Sequence, residues 1–410
     1  RLGSDEAYVE AFLELYTRAV RTRLRAIRPV GSTLSGGLDS GSVTVLGARE
    51  LQAQGAPLVA FTSVPLYPPD GAGPDRFGDE WPLAHAVAGL WPPITHLAVS
   101  AAHLPPLDGI ARQLWMNDEP VHATGNFFWI SALLESARDR RLGVLLTGQM
   151  GNLVVSWTGS QTRAWEQLRS GKLTGAIREF AAWKRARQRS WMTASKSQIL
   201  RPLLRPLWAR RSFLRHPFRP AWETYSAIHP AFARRLGLGQ LMRAAGHDPH
   251  FAPRLSVASR IAFLEHGYSI VGAIWHEIGA AYGLEVRDPT ADLRLLEFCL
   301  GIPDDQFNRR GQDRWLNRRA MEGLLPSEVL WNHRRGLQAA DLGHRLRAQA
   351  GTCRGWLDSM DHSAACRERL DLRRMRRTLC ALQNQADPAG TAQATTVLTR
   401  GLGVGRFLLR

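Results

Sequence analysis

The residues best suited to chemistry stand together in Leu34-Ser35-Gly36-Gly37-Leu38-Asp39-Ser40. A short apolar run from Val30 to Leu34 leads into them, and Val43, Leu46 and Leu51 follow at helical spacing. Strand, glycine-rich turn and helix together form a geometry that holds phosphate. Paired glycines let the backbone approach the oxygens, and the N–H groups of the turn and of the helix N-terminus face the anion. Ser35 and Ser40 add hydroxyl donors. Asp39 would repel phosphate, so its natural role is as an oxygen ligand for Mg²⁺, the hard cation that accompanies nucleotide phosphates. The stretch is not a GxxxxGK[ST] loop, because no lysine stands in it. The plain alternative is a glycine-rich turn that starts a helix.

The elements around this stretch repeat one theme. Residues 5–28 place Val9, Phe12, Leu13, Tyr16, Val20, Leu24 and Ile27 on one helical face. Val30–Leu34, Leu58–Val64, Thr95–Val99 and Gly143–Gly148 read as buried strands, separated by helical stretches after Ser40, near 80–90 and over 126–138. Alternating strands and helices predict a doubly wound parallel α/β sheet. Such sheets bind ligands at the carboxyl ends of their strands. Ser35-Gly36-Gly37, Ser63-Val64 and Thr147-Gly148 all lie at such ends and are expected to converge on one site.

Composition sets the outer limits. The 410 residues allow two or three domains, and 44% hydrophobic residues fit a globular core. No apolar stretch is long enough to span a bilayer, and the opening Arg1-Leu2-Gly3-Ser4-Asp5 does not read as a signal peptide. The first residue is not Met, consistent with a piece of a longer chain. Cys299, Cys353, Cys366 and Cys380 are widely spaced, without the pattern of a zinc site or a disulfide framework, so a reducing cytoplasm is the expected compartment. The net charge of +17 favours anionic partners, although an arginine excess also follows from GC-rich coding.

The motif Ser35-Gly36-Gly37-Leu38-Asp39-Ser40 resembles the pyrophosphate loop of ATP pyrophosphatases. With three further blocks in order, the chain is similar to the synthetase domain of the asparagine synthetase family across roughly residues 5–340. Those blocks are Asp118-Glu119-Pro120, Leu146-Thr147-Gly148-Gln149-Met150-Gly151-Asn152, and Gly283-Leu284-Glu285-Val286-Arg287-Asp288-Pro289 with Asp292; the segment from Leu325-Pro326 to Gln338 also matches. The resemblance implies the ATP-pyrophosphatase type of α/β fold, with an ATP-binding core over 1–159, a basic Trp-rich helical insertion over 160–250, a helical continuation over 251–345 that completes the site, and a basic helical tail over 346–410. It also implies ATP and Mg²⁺, and a reaction in which a carboxylate attacks the α-phosphate, pyrophosphate leaves, and an amine displaces AMP. By resemblance Leu34, Val64 and Gly148 contact adenosine, Ser35, Gly36, Gly37, Leu38, Asp39 and Ser40 cradle pyrophosphate, Asp39 and Asn152 hold metal, and Arg334, Gln149 and Glu285 take part in catalysis.

The departures carry information too. Asn152 stands where the family has a metal-binding Asp, and Leu153 where it has Glu. Gln149 replaces a substrate-facing Glu, which points away from aspartate as acceptor. Arg334 replaces a lysine; it can hold phosphate oxygens but not donate a proton. No cysteine precedes Cys299, so nothing in the sequence would hydrolyse glutamine; the amine comes from free ammonia, a missing segment or the substrate itself. The run Asn332 to Asp341 is similar to the lasso-peptide macrolactam cyclase branch, which implies a ribosomal precursor peptide as substrate and a partner protein that delivers it. Asparagine synthesis from aspartate, and a degenerate non-catalytic member of the family, are the alternatives.

Several features keep two readings. Lys184 to Arg219 holds eleven basic residues and no acidic one, interleaved with Trp191, Trp208, Phe213 and Phe218 and flanked by Trp183 and Trp222. This fits phosphate contacts and base stacking, a groove for a peptide or partner, or amphipathic helices with solvated arginines. RNA is the least favoured, because tRNA-modifying relatives lack the block at 283–289. Asp118 and Glu119 could cap a helix. Glu285, Arg287 and Asp292 could be an ion-pair network rather than substrate contacts. His96, His276 and Glu277 suit packing or a solvated face better than catalysis. Residues 346–410, with Gly401, Gly403 and Gly405 near the end, carry no motif.

Overall fold

A computed structural model describes residues 2–69, 73, 75–160, 163–204, 221–247, 249, 260–262, 264, 271–384 and 388–410. Its strands are β1 (Val30–Thr33), β2 (Leu58–Ser63), β3 (Arg76–Phe77), β4 (Ile94–Val99), β5 (Val144–Leu146), β6 (Glu285–Arg287), β7 (Asn308–Arg309), β8 (Gln312–Asp313) and β9 (Arg335–Gly336). Five of them form one parallel sheet in the order β4-β2-β1-β5-β6. The chain winds outward from β1 in one direction and returns to β5 on its other side. The switch point therefore lies between β1 and β5, where a crevice opens at the strand ends.

Both faces of the sheet are covered, as parallel pairing requires. Leu58, Ala60, Val144 and Leu146 point to one core, shared with α1 (Asp5–Arg23), α2 (Leu38–Gln52) and α3 (Trp81–Gly89). Val59, Phe61 and Leu145 point to the other, with α5 (Phe127–Asp139) and the helix Val271–Ala281. This alternation is the period-two signature of strands. Gly31 is required on the second face, because a Cβ there would lie 2.6 Å from Leu142 Cδ1. Buried Phe12, Tyr16 and Val20 anchor α1, each worth about 1.5–3 kcal/mol by area.

Two elements depart from the expected pattern. The first helix stops at Arg23 rather than near residue 28, and Ile27 is fully exposed. The cause lies far off in sequence: Arg287 Nη1 donates to the carbonyls of Arg23 (2.8 Å) and Arg25 (2.7 Å), satisfying acceptors that a longer helix would use internally. The second is β6, whose Glu285-Val286-Arg287 has a single apolar residue and no strand signature, yet pairs with β5 at the edge of the sheet.

The C-terminal helices form a third core with α4 (Pro106–Asn117). Their glycines serve packing rather than a flexible end. A Cβ on Gly401 would lie 2.6 Å from Met375 Cε, and one on Gly405 2.3 Å from Met360 Cε, so the helix Pro388–Leu408 lies directly against its neighbours. No described helix is long and apolar enough to cross a membrane.

Candidate active site

β1 delivers Leu34 to the strand end. Its N–H donates to Phe61 O (2.9 Å) and its carbonyl accepts from Thr62 Oγ1 (2.6 Å). Since the Thr62 hydroxyl proton is spent there, His96 Nε2–H donates to Thr62 Oγ1 (2.7 Å), which fixes the neutral tautomer. Burial, helped by His85, lowers the His96 pKa to about 4, and Trp81 stacks on the ring at 4.2 Å. His96 thus buttresses the strand end.

The turn that follows is held by its own hydroxyls. Ser40 Oγ accepts from Ser35 N–H (2.9 Å) and shares a proton with Ser35 Oγ (2.8 Å), which in turn accepts from Gly37 N–H (3.2 Å). Gly36 lies against Leu83 and Phe77, with 3.0 Å left for a Cβ. Gly37 is the N-cap of α2 and no side chain caps the helix. The first-turn N–H groups and the positive end of the dipole are therefore available to an anion.

A cavity of about 510 Å³ opens here. Leu34, Ser35, Gly36, Gly37, Leu38, Asp39, Ser40, Val64, Gly148, Gln149, Asn152 and Arg334 all line it, joined by an aromatic wall of Phe128, Trp129 and Trp275. The three strand ends expected to converge do so. Gly148 and Gly151 let the β5 turn lie against α2: a Cβ on Gly148 would meet the Asp39 backbone at 2.9 Å, and one on Gly151 the Asp39 carboxyl at 2.3 Å. Asp288 Oδ2 holds that turn by accepting from Met150 N–H (2.8 Å).

Asp39 is the acid at the centre. Burial raises its pKa, opposed by the Arg314 charge and by the Ser156 hydroxyl, which donates to Oδ1. A half-buried carboxylate whose second oxygen has no donor among the described residues suits a hard cation. Asn152 is less suited, because its Oδ1 accepts from Arg314 Nη2 (3.0 Å). Among the described residues the donor set is thus one carboxylate, with Asn152 beside it already engaged by the Arg314 guanidinium.

Arg334 and Arg335 reach the cavity through a separate device. β9 pairs in parallel with β3, and Arg334 Nη2 donates to Arg76 O (2.6 Å), 258 residues away in the chain. Buried Arg318 braces the approach, donating to the carbonyls of Asp313, Leu330 and Asn332. Asp341, at the cavity rim, accepts from Leu66 N–H (2.7 Å) and Tyr67 N–H (3.2 Å) while pairing with buried Arg345 (2.9 Å). This joins the loop after β2 to the segment after β9.

Other expected residues lie elsewhere. Glu285, expected to be catalytic, is outside the cavity; it is exposed at the start of β6 and pairs with Arg287 at 2.5 Å. A parallel strand presents its carboxyl end to the site, and Glu285 stands at the other end. Asp292 pairs with Arg23 and Arg294, so this block is an ion-pair network. Asp118 is the left-handed C-cap of α4 and pairs with Arg410, while Glu119 offers its carbonyl to Gln113. Glu277 accepts from Asn117 on an exposed face. In the basic stretch, Arg187 pairs with Asp313, Arg189 with Asp75, and Lys184 lies 4.9 Å from the centre of the Trp191 ring. Trp208, Phe213 and Phe218 lie outside the described residues.

Sequence reasoning missed Arg314, Ser156 and Glu80, and it named Asp341 only as the end of the run from Asn332. All line the cavity or touch Asp39, and none belongs to a glycine-rich or strand-end motif. Their distance from the loop in sequence left no local signal.

Fold and site together define a parallel α/β protein with a cavity, lined by an uncapped helix N-terminus, at its switch point. The family model described as asparagine synthase matches residues 11–399, and the chain belongs to that family. It is 24% identical over 322 residues to a protein of Bacillus subtilis (strain 168) named asparagine synthetase [glutamine-hydrolyzing] 3, a match that covers 77% of this chain. The chain spans 46% of that relative's length.

Proposed function

We propose that the chain is an ATP-dependent amide-bond-forming ligase: a carboxylate attacks the α-phosphate, pyrophosphate leaves, and an amine displaces AMP from the adenylate. The observation that carries this reading is the convergence of the uncapped α2 N-terminus, Asp39 and Arg334 on one cavity. The turn N–H groups would cradle pyrophosphate and Arg334 would hold its departing oxygens, so charge stabilisation and positioning supply most of the rate. Mg²⁺, when bound, would neutralise phosphate charge, and Asp39 is the residue to hold it. Leu34, Val64 and Gly148 offer backbone and apolar surface for adenosine.

The finer reading is macrolactam formation on a ribosomal precursor peptide, a side-chain carboxylate being adenylated and the peptide's own N-terminus attacking it. Gln149 and the Phe128, Trp129 and Trp275 wall support it, since they offer a peptide apolar surface where free aspartate would need paired charges. Exposed Leu173 and Ile177 on the helix Leu173–Ala186, near exposed Trp191, suit a partner that delivers the peptide. Nucleic acid is not part of this reading. The name of the Bacillus relative favours a second reading, in which aspartate is the acceptor and ammonia the amine.

The test is product analysis with ATP, Mg²⁺ and either aspartate with ammonia or the peptide encoded beside this chain. Peptide that loses one water mass with release of AMP and pyrophosphate supports the macrolactam reading. Asparagine at a useful rate overturns it in favour of the second. Asp39→Ala is expected to lower either turnover by at least about 100-fold. A variant that keeps full peptide affinity in a protein without turnover would mark a non-catalytic binder.

A further inference from the structure

The cavity contains a carboxyl that the reaction described so far does not use. Glu80 is the N-cap residue of α3, yet its side chain makes no capping bond. It lines the cavity instead and lies against β9, so close that a Cβ on Gly336 would sit 2.0 Å from Oε1. Among the described residues no hydrogen bond or ion pair engages this carboxyl. An acid in such a place fits a ligand that donates protons or carries positive charge.

The chemistry of amide formation needs one. An amine reaches the site largely as an ammonium ion, since an α-amino group titrates at about 7.7–8.0. It must lose one proton before it attacks and a second as the amide forms. Among the lining residues few can accept one. Arg314, Arg334 and Arg335 stay charged, and Gln149 is neutral. Asp39 faces the phosphate turn with Ser156 on one oxygen, and Asp341 is committed to Arg345 and two backbone N–H groups. Among the described residues no histidine lines the cavity.

We propose that Glu80 binds the attacking amine and accepts its proton. This rests on the ligase reading. In the step, the amine nitrogen bonds to the activated carboxyl carbon and the carbon–oxygen bond to AMP breaks. AMP leaves with the electron pair, and the two protons of the ammonium, one before attack and one as the amide forms, pass in turn to the Glu80 carboxylate and then to water. Burial, with Asp79 adding repulsion, raises the Glu80 pKa to about 7, which matches a base working near neutrality. The other charged and titratable groups on the elements around it are Arg76 on β3, Arg335 on β9 with Arg334 just before it, His85 and His96 stacked on Trp81, Asp39 on α2, and Asp341. Only Asp79 adds to burial in setting its titration.

The two half-reactions separate this role from the rest. Wild type and Glu80→Gln are compared with ATP, Mg²⁺ and either aspartate or the peptide encoded beside this chain. Carboxylate-dependent exchange of pyrophosphate into ATP is expected to stay within about threefold in the variant, which also shows that it folds. Capture of the adenylate by ammonia or the peptide N-terminus should fall at least about 100-fold at pH 7, and its rise through pH 7 should vanish. Hydroxylamine, already neutral at that pH, needs only the later proton taken up and should capture the adenylate with a smaller loss in the variant than ammonia or the peptide N-terminus. Unchanged amide formation with an unchanged pH profile overturns the role of Glu80, as does an equal loss of exchange and capture, which would make the residue structural. A wild-type protein that exchanges pyrophosphate with neither carboxylate overturns the ligase reading itself, and the role of Glu80 with it.

Discussion

Asp39 and Glu80 share an unusual circumstance: each is a part-buried acid whose desolvation raises its pKa. Such groups cost stability when ionised, which is a common mark of a working site. For Glu80 the sign follows from its raised pKa. The unfolded chain gives up this proton at an ordinary glutamate pKa, while the folded chain holds it to about 7. The penalty is absent below about 4.5, grows as the pH rises to about 7 and is constant above that. Glu80→Gln is therefore expected to melt higher than wild type above pH 7 and level with it below pH 4.5. Thermal melts across pH check this without any substrate, and equal melting at every pH would contradict an ionised, unpartnered Glu80.

At the scale of elements, what could be read in advance was what local pattern controls. β1, β2, β4 and β5 follow apolar runs, and the turn at 35–40 follows from its glycines and serines. β6 and β9 follow from neither; each is short, polar and formed only because a partner strand was already there. Glu285 shows the limit plainly, since a motif position identifies a residue but not which end of a strand it occupies. The buried arginines were invisible for a related reason: Arg318 and Arg345 look like surface charges until the carbonyls that satisfy them are brought close. Asp341 tests this layer. Asp341→Ala leaves the Arg345 guanidinium buried beside the carbonyls of Ser100 and Ala101 with no counter-charge, and should destabilise by about 3–5 kcal/mol. Asp341→Asn, which keeps an acceptor for Leu66 and Tyr67, should cost less. Denaturant melts would rank the two.

For the whole molecule, a donor set with one carboxylate among the described residues would, under the proposed ligase reading, make metal and nucleotide interdependent. Mg²⁺ alone should not shift the melting temperature measurably, whereas ATP with Mg²⁺ at about 100 times its dissociation constant should stabilise by about 2.7 kcal/mol. Chelation should abolish that shift. A clear rise with Mg²⁺ alone would point to a second strong protein ligand, contrary to the engagement of Asn152 by Arg314.

The pairing of β3 with β9 also has a meaning in time. A ribosome releases the phosphate turn and Arg76 long before Arg334, which lies 258 residues beyond Arg76. The nascent chain can build β1, β2, β4 and β5 first, and the arginine arm and the Asp341 link follow only once residues 334–341 have emerged. A chain stopped before residue 334 thus carries the turn at 35–40 without Arg334 and the Asp341 link that complete the cavity.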